Sequence, residues 1–205
     1  MQRRVVLLTI LSSIIVMAAI ACAPVNLHEL NRSVKKEAQF PNPKPGSRWL
    51  LKALDGSWTA QFELKRVENG KFIVLLNGRE TEYTNEWNAL ENVVDQRTIR
   101  AKFSPHDYSF SFPLWEGKRW GGIVSWTGRA ALMTQDTFSV SGEAKGWEKI
   151  EVEAGSFEAI KVIIQTEKIL VICWYAPEAQ LTVKCVSPTH PRRSWELGEF
   201  HLAER

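Results

Sequence analysis

From Ser47 onward the apolar positions of the chain recur with a period of two. Trp58, Ala60, Phe62 and Leu64 alternate with Thr59, Gln61, Glu63 and Lys65, which predicts a strand with one buried face and one wet face. An apolar run from Phe72 to Leu76 follows, bracketed by Asn69-Gly70 and Asn77-Gly78. Both residues of an Asn-Gly pair tolerate positive φ, so each pair predicts a tight hairpin. The alternation returns at Ile99, Ala101 and Phe103, at Phe110, Phe112 and Leu114, and at Ile150, Val152 and Ala154; further strands are predicted over 157–166, 169–175, 181–186 and 194–202. The pattern amounts to about nine to eleven strands joined by short turns. Hairpin links make the sheet antiparallel, and so many strands close into a barrel or half-barrel, or split into a two-layer sandwich, rather than leave long open edges. The expectation is an all-β fold, a single domain over residues 47–205.

Two stretches depart from simple alternation. Within residues 85–94, Trp87, Leu90 and Val94 share a helical face, which predicts a short helix serving as a lid or plug. In Ile169-Leu170-Val171-Ile172-Cys173-Trp174-Tyr175 neither parity is polar, so both faces of that strand must be covered, by protein or by a ligand. The same strand decides the state of Cys173 and Cys185. A three-residue turn, 178–180, sets the two cysteines opposite each other and permits a disulfide; a four-residue turn, 177–180, sets Cys173 opposite Lys184. Pro177-Glu178-Ala179-Gln180 fits the four-residue turn with Pro at its front, which favours free thiols.

Upstream of the domain the pattern changes character. Arg3 and Arg4 precede a run that is apolar from Val5 to Ala21 apart from Thr9, Ser12 and Ser13, with no acidic residue before Glu29. This is the layout of a secretory signal over 1–21. The order Ala19-Ile20-Ala21-Cys22 resembles a lipobox, in which the cysteine takes a diacylglycerol thioether and becomes the first residue of the mature chain. Two or more acyl chains anchor stably where one does not. Residues 22–46 are expected to form a lipidated tether, with Pro41, Pro43 and Pro45 near its end and Leu27, Leu30, Val34 and Ala38 at the spacing of a short helix. Ala23 stands where Asp accompanies inner-membrane retention, so in a cell with two membranes the outer one is expected, with the domain facing the periplasm.

The whole chain has 26 Lys and Arg against 23 Asp and Glu. Removing Arg3 and Arg4 with the signal leaves it close to neutral, and the remaining basic residues are scattered, so no nucleic-acid partner is expected. His28, His106, His190 and His201 lie far apart in sequence without ligands at metal spacing. No nucleophile elbow, His-Glu-x-x-His or phosphate loop is present, and no cofactor is called for. A site made of Asp136, Glu143 and His106 would have to be assembled by the fold. Nine tryptophans are spread along the domain; most are expected in the core, with Trp87, Trp115, Trp120 and Trp174 as candidate contacts for a ligand or partner.

Phe112-Pro113-Leu114, Gly117-Lys118-x-Trp120, Ala154-Gly155-x-Phe157-x-Ala159 and Trp174-Tyr175-x-Pro177-Glu178 occur in that order. Over about residues 79–200 this resembles a family of exported, often lipidated, β-rich bacterial periplasmic proteins of unknown function. The resemblance implies an all-β, barrel-like exported domain and no catalytic residues. The expected function is that of a non-enzymatic envelope lipoprotein binding an apolar ligand or an envelope protein partner. A structural subunit with a filled barrel is the first alternative, and a hydrolase with a site formed only in three dimensions is the second.

Overall fold

The computed structural model describes residues 36–93, 100–129 and 133–204. The signal segment, Cys22 and most of the expected tether helix lie outside the described residues.

Twelve strands form a closed antiparallel barrel: β1 (Arg48–Ala53), β2 (Thr59–Glu68), β3 (Lys71–Leu76), β4 (Arg79–Thr84), β5 (Ala89–Val93), β6 (Arg100–Ser104), β7 (Arg119–Arg129), β8 (Met133–Val152), β9 (Gly155–Thr166), β10 (Leu170–Ala176), β11 (Leu181–Val186) and β12 (Trp195–His201). Each strand pairs with its neighbours in sequence, and β12 returns to β1, so no edge is left open. The alternation places Trp49, Leu51, Leu64, Val74, Val124 and Val162 inside, all buried. The outer face carries ion pairs between strands, Arg48 with Glu63, Lys71 with Glu82, Arg119 with Glu143 and Lys184 with Glu196. That face is built for water, because a barrel spanning a bilayer turns an apolar band outward.

The closed barrel excludes the half-barrel and the sandwich, and it has one strand more than the upper expectation. β7 and the first half of β8 escaped the pattern because three inward positions are Gly122, Gly128 and Gly142 while an outward one is the apolar Ile123, 69% exposed, so polar and apolar positions do not alternate cleanly. The expected helix over 85–94 is not formed in its described part, 85–93; Val94 lies outside the described residues. Residues 85–88 form a turn, stapled by Thr84 Oγ1, which accepts from the backbone N–H of both Glu86 and Asn88 at 3.2 Å, and Ala89 begins β5. Phe110, Phe112 and Leu114 are buried as their alternation predicts, yet they belong to no strand, being part of the 105–118 segment that connects β6 to β7.

The thiol expectation is corrected too. The turn has four residues, as read, since Ala176 pairs with Leu181. A bulge then intervenes, with Tyr175 opposite Thr182 but Trp174 opposite Lys184. The extra residue, Val183, shifts the register by one and brings Cys173 opposite Cys185, where they form a disulfide with Cα atoms 4.2 Å apart. Val183 is fully buried, and packing it is what the bulge accomplishes.

The closure is thin at one seam. β11 and β12 share two paired positions, Lys184 with Glu196 and Cys185 with Trp195. The long β8–β9 hairpin covers the gap below: Ala154 N–H donates to Leu197 O at 3.0 Å, Glu153 pairs with Lys52, and the Phe157 ring lies 5.7 Å from Phe200. The same hairpin roofs the outward face of β10, where Trp174 donates its Nε1–H to Glu148 and lies under the Lys161 ammonium. Protein therefore covers both faces of the doubly apolar strand at Trp174.

Candidate functional site

One end of the barrel gathers the β4–β5 turn, the β10–β11 turn, the 105–118 segment and the chain entering β1. Here the 105–118 segment turns into the barrel without a strand ladder, so its backbone groups need other partners; leaving one buried and unpaired costs about 1–3 kcal/mol. Asn88, fully buried, acts as a rung. Its Nδ2 donates to Phe110 O at 2.9 Å and its Oδ1 accepts from Phe110 N–H at 2.6 Å. Glu86 accepts from Phe112 N–H at 2.9 Å, and Asp107 Oδ1 accepts from Ala89 N–H and Ser109 N–H at 3.0 and 3.2 Å. Lys118 Nζ donates to Ser111 O and Pro113 O, and Trp120 Nε1–H donates to Tyr108 O at 3.0 Å.

The inturned 105–118 segment plugs this end of the barrel, and it has landing sites in the wall. A Cβ on Gly142 would stand 2.2 Å from the Trp120 ring, and one on Gly122 would stand 2.4 Å from the Tyr108 ring. Only a residue without a side chain lets the two rings lie against these strands. Residues 36–46, read above as the end of the tether, strap the outside of the plug. Ala38 and Leu114 exchange backbone hydrogen bonds at 2.8 and 2.9 Å, Phe40 stands 5.9 Å from the Phe112 ring, and Asn42 N–H donates to Gln180 Oε1.

Above the plug a cluster of aromatic rings meets in the interior. Trp87, held at φ 62° by the β4–β5 turn, points into it, with Phe72 at 4.7 Å, Trp49 at 5.5 Å and Tyr83 at 5.8 Å between ring centroids. Trp87 Nε1–H donates to Gln180 O and Trp49 Nε1–H to Ala179 O, at 2.9 and 2.8 Å. The inturned β10–β11 turn thereby satisfies both indoles. Phe112 and Phe110 reach Tyr175 from below, at 4.8 and 6.2 Å. Burial raises the Tyr83 and Tyr175 phenols above their ordinary range, so both stay neutral.

The charged groups around the plug are occupied in holding it. Burial pushes the Asp107 carboxyl up to about 6 and raises Glu86, while it lowers Lys118 and His106. His106 Nδ1 accepts from Tyr108 N–H at 3.1 Å, which fits a neutral ring protonated on Nε2. Glu143 lies on the outer wall with Arg119 and Lys145. Asp136 is seven residues along the same strand, about 23 Å away, beside Lys168. The fold does not bring Asp136, Glu143 and His106 together.

The four candidate tryptophans are also dispersed. Trp87 is core, Trp120 lies on the Gly142 wall and Trp174 is roofed by the β8–β9 hairpin. Trp115 is half-exposed at the strapped end, under the Lys118 ammonium at 4.6 Å. Sequence reasoning missed Glu86 and Asn88, which resemble surface polar residues. Their signal was the Thr84-Asn85-Glu86 run, which is turn chemistry inside an apparent helix.

On the outer wall a groove of about 600 Å³ crosses β12, β1, β2 and β3. Its floor is Leu50 and Leu75, and Arg48, Glu63, Glu199 and His201 stand around it. Charges of both signs beside a short apolar floor suit a protein surface better than a single anion or a lipid chain.

No family model matches the chain, and no curated protein does. Among solved structures it is similar to the hypothetical lipoprotein YmcC from Escherichia coli (K12), with a TM-score of 0.48 and 13% identity over 80% of this chain and 90% of that one. It is similar also to a protein of Parabacteroides distasonis ATCC 8503 provisionally described as a lipoprotein, with a TM-score of 0.41 and 13% identity over 81% of this chain and 100% of that one.

Proposed function

We propose that the chain is a bacterial envelope lipoprotein, acylated on Cys22, whose barrel is a non-enzymatic scaffold that engages an envelope protein through its outer wall. The observation that carries this reading is the aromatic filling and plugging of the barrel, which takes up at this end the space a lumenal ligand would need and leaves the outer wall as the working surface. The Arg3-Arg4 and apolar leader ending in Ala19-Ile20-Ala21-Cys22 supports export and lipidation. The disulfide between β10 and β11 supports an oxidising compartment. The charge pairs on the outer wall support a barrel that stands in water, with membrane attachment left to the acyl anchor. In a cell with two membranes, Ala23 favours the outer one and a periplasm-facing domain.

Metabolic labelling with a clickable fatty acid, followed by fractionation, tests the reading. The wild-type chain is expected to carry label and sediment with membranes, and Cys22→Ser to be unlabelled and to shift to the soluble fraction with its fold intact. Equal label on the variant, or a soluble wild-type protein, would falsify it.

A further inference from the structure

We propose that the strapped end of the barrel is a lipid-contact face, with Phe40 and Trp115 entering the headgroup layer of the membrane that holds the anchor. This rests on acylation of Cys22 and adds to it a docked orientation for the barrel.

The described chain begins at this end and begins fixed. Lys36 O accepts from Trp147 Nε1–H at 3.1 Å, the Lys36 ammonium lies 4.3 Å above the Trp147 ring, and it pairs with Glu158. Two residues on, Ala38 is bridged to Leu114. Fourteen residue steps separate Cys22 from Lys36, which at about 3.3–3.6 Å per residue limit the span to roughly 50 Å however the chain runs. An acyl chain on Cys22 therefore holds the strapped end within reach of the bilayer by a leash attached to the strap itself.

That end shows the side chains a membrane interface accepts. Phe40, four residues from the exit, is 47% exposed, whereas Ala38 two residues before it is fully buried. Trp115 follows Leu114 directly, so it sits beside the strap on the parity opposite the buried Phe110, Phe112 and Leu114. Its ring is partly open and flanked by Lys118. Rings of this kind, with lysines whose stems run along them, settle at the headgroup level. Lys36, Lys44 and Lys118 are balanced by Glu37, Glu116 and Glu158, so the contact is one of apolar insertion rather than attraction to anionic lipid. It is expected on neutral phosphatidylcholine as well.

The test uses the acylated full-length protein in phosphatidylcholine vesicles whose acyl chains are brominated, reading tryptophan emission against unbrominated vesicles. Quenching is expected in the wild type. Trp115→Phe is expected to lose most of it, Phe40→Glu to weaken it without changing the amount bound, and Trp58→Phe, in the β1–β2 connection at the opposite end, to leave it unchanged. Vesicle-bound protein whose quenching is the same with and without Trp115 overturns the contact face while sparing the anchor. Wild-type protein that does not associate with vesicles overturns the anchor instead. Near-ultraviolet circular dichroism of each variant confirms that the barrel is intact.

Discussion

Trp87→Ala is expected to destabilise the barrel by about 4 kcal/mol, within the range for removing a buried tryptophan from a packed core. Trp87 is the point at which three other rings, Phe72, Trp49 and Tyr83, meet, and favourably arranged aromatic pairs contribute about 0.5–1.5 kcal/mol each beyond their burial. The truncation also removes the donor to Gln180 O. The β10–β11 turn then loses one of two indole contacts that hold it over the end of the barrel. The cavity cannot collapse easily, because closed strand ladders surround it. Urea unfolding would show a lower midpoint, and an environment-sensitive apolar dye would bind the variant but not the wild type. A loss below about 1 kcal/mol with no dye binding would mean that the end is not packed around Trp87.

Replacing Cys173 and Cys185 together by Ser is the second large effect. The bridge closes a loop of sequence separation 12, for which the chain-entropy estimate is about 3 kcal/mol. The side chains lie inside, among the fully buried Val162 and Val183, so two hydroxyls there add a desolvation cost. The double variant is expected to unfold at lower denaturant than the wild type, whereas reduction of the Ser variant has no further effect. Mass spectrometry without reductant supplies the control: the peptide pair from native protein is expected about two daltons lighter than the free-thiol pair, because one S–S bond replaces two S–H bonds. A native protein with two free thiols contradicts the register shift at Val183.

That register shows where pattern reading ends. Pro177 announced its turn correctly, since local φ preferences decide a turn. The bulge at Val183 is set by what Val183 packs against, which no local rule contains. The 85–94 segment illustrates the same limit. Trp87 and Leu90 have helical spacing, but Thr84 caps the turn and Trp87 is held at positive φ, so tertiary burial of one indole outweighs periodicity. For Phe110, Phe112 and Leu114 the alternation identified the buried face and misassigned the pairing. Pro105 and Pro113 lack N–H donors, and the donors and acceptors that replace a ladder come from Asn88, Glu86 and Lys118. Those three, with Asp107, hold the segment that fills this end of the barrel, and each is polar, so hydrophobic patterning passes over them. The all-β class was legible because period two needs only burial. The strap was not, because three prolines in a short polar run read as tether whether or not a partner segment lies beside them.

Native mass spectrometry of the protein extracted from its own membrane measures the anchor and the filled interior together. The expected mass is that of the chain from Cys22 plus its acyl groups, with no small molecule retained once detergent is removed. A chain that still carries residues 1–21, or a stoichiometric lipid that stays bound in addition to the acyl groups, would contradict an acyl-anchored barrel filled by its own side chains.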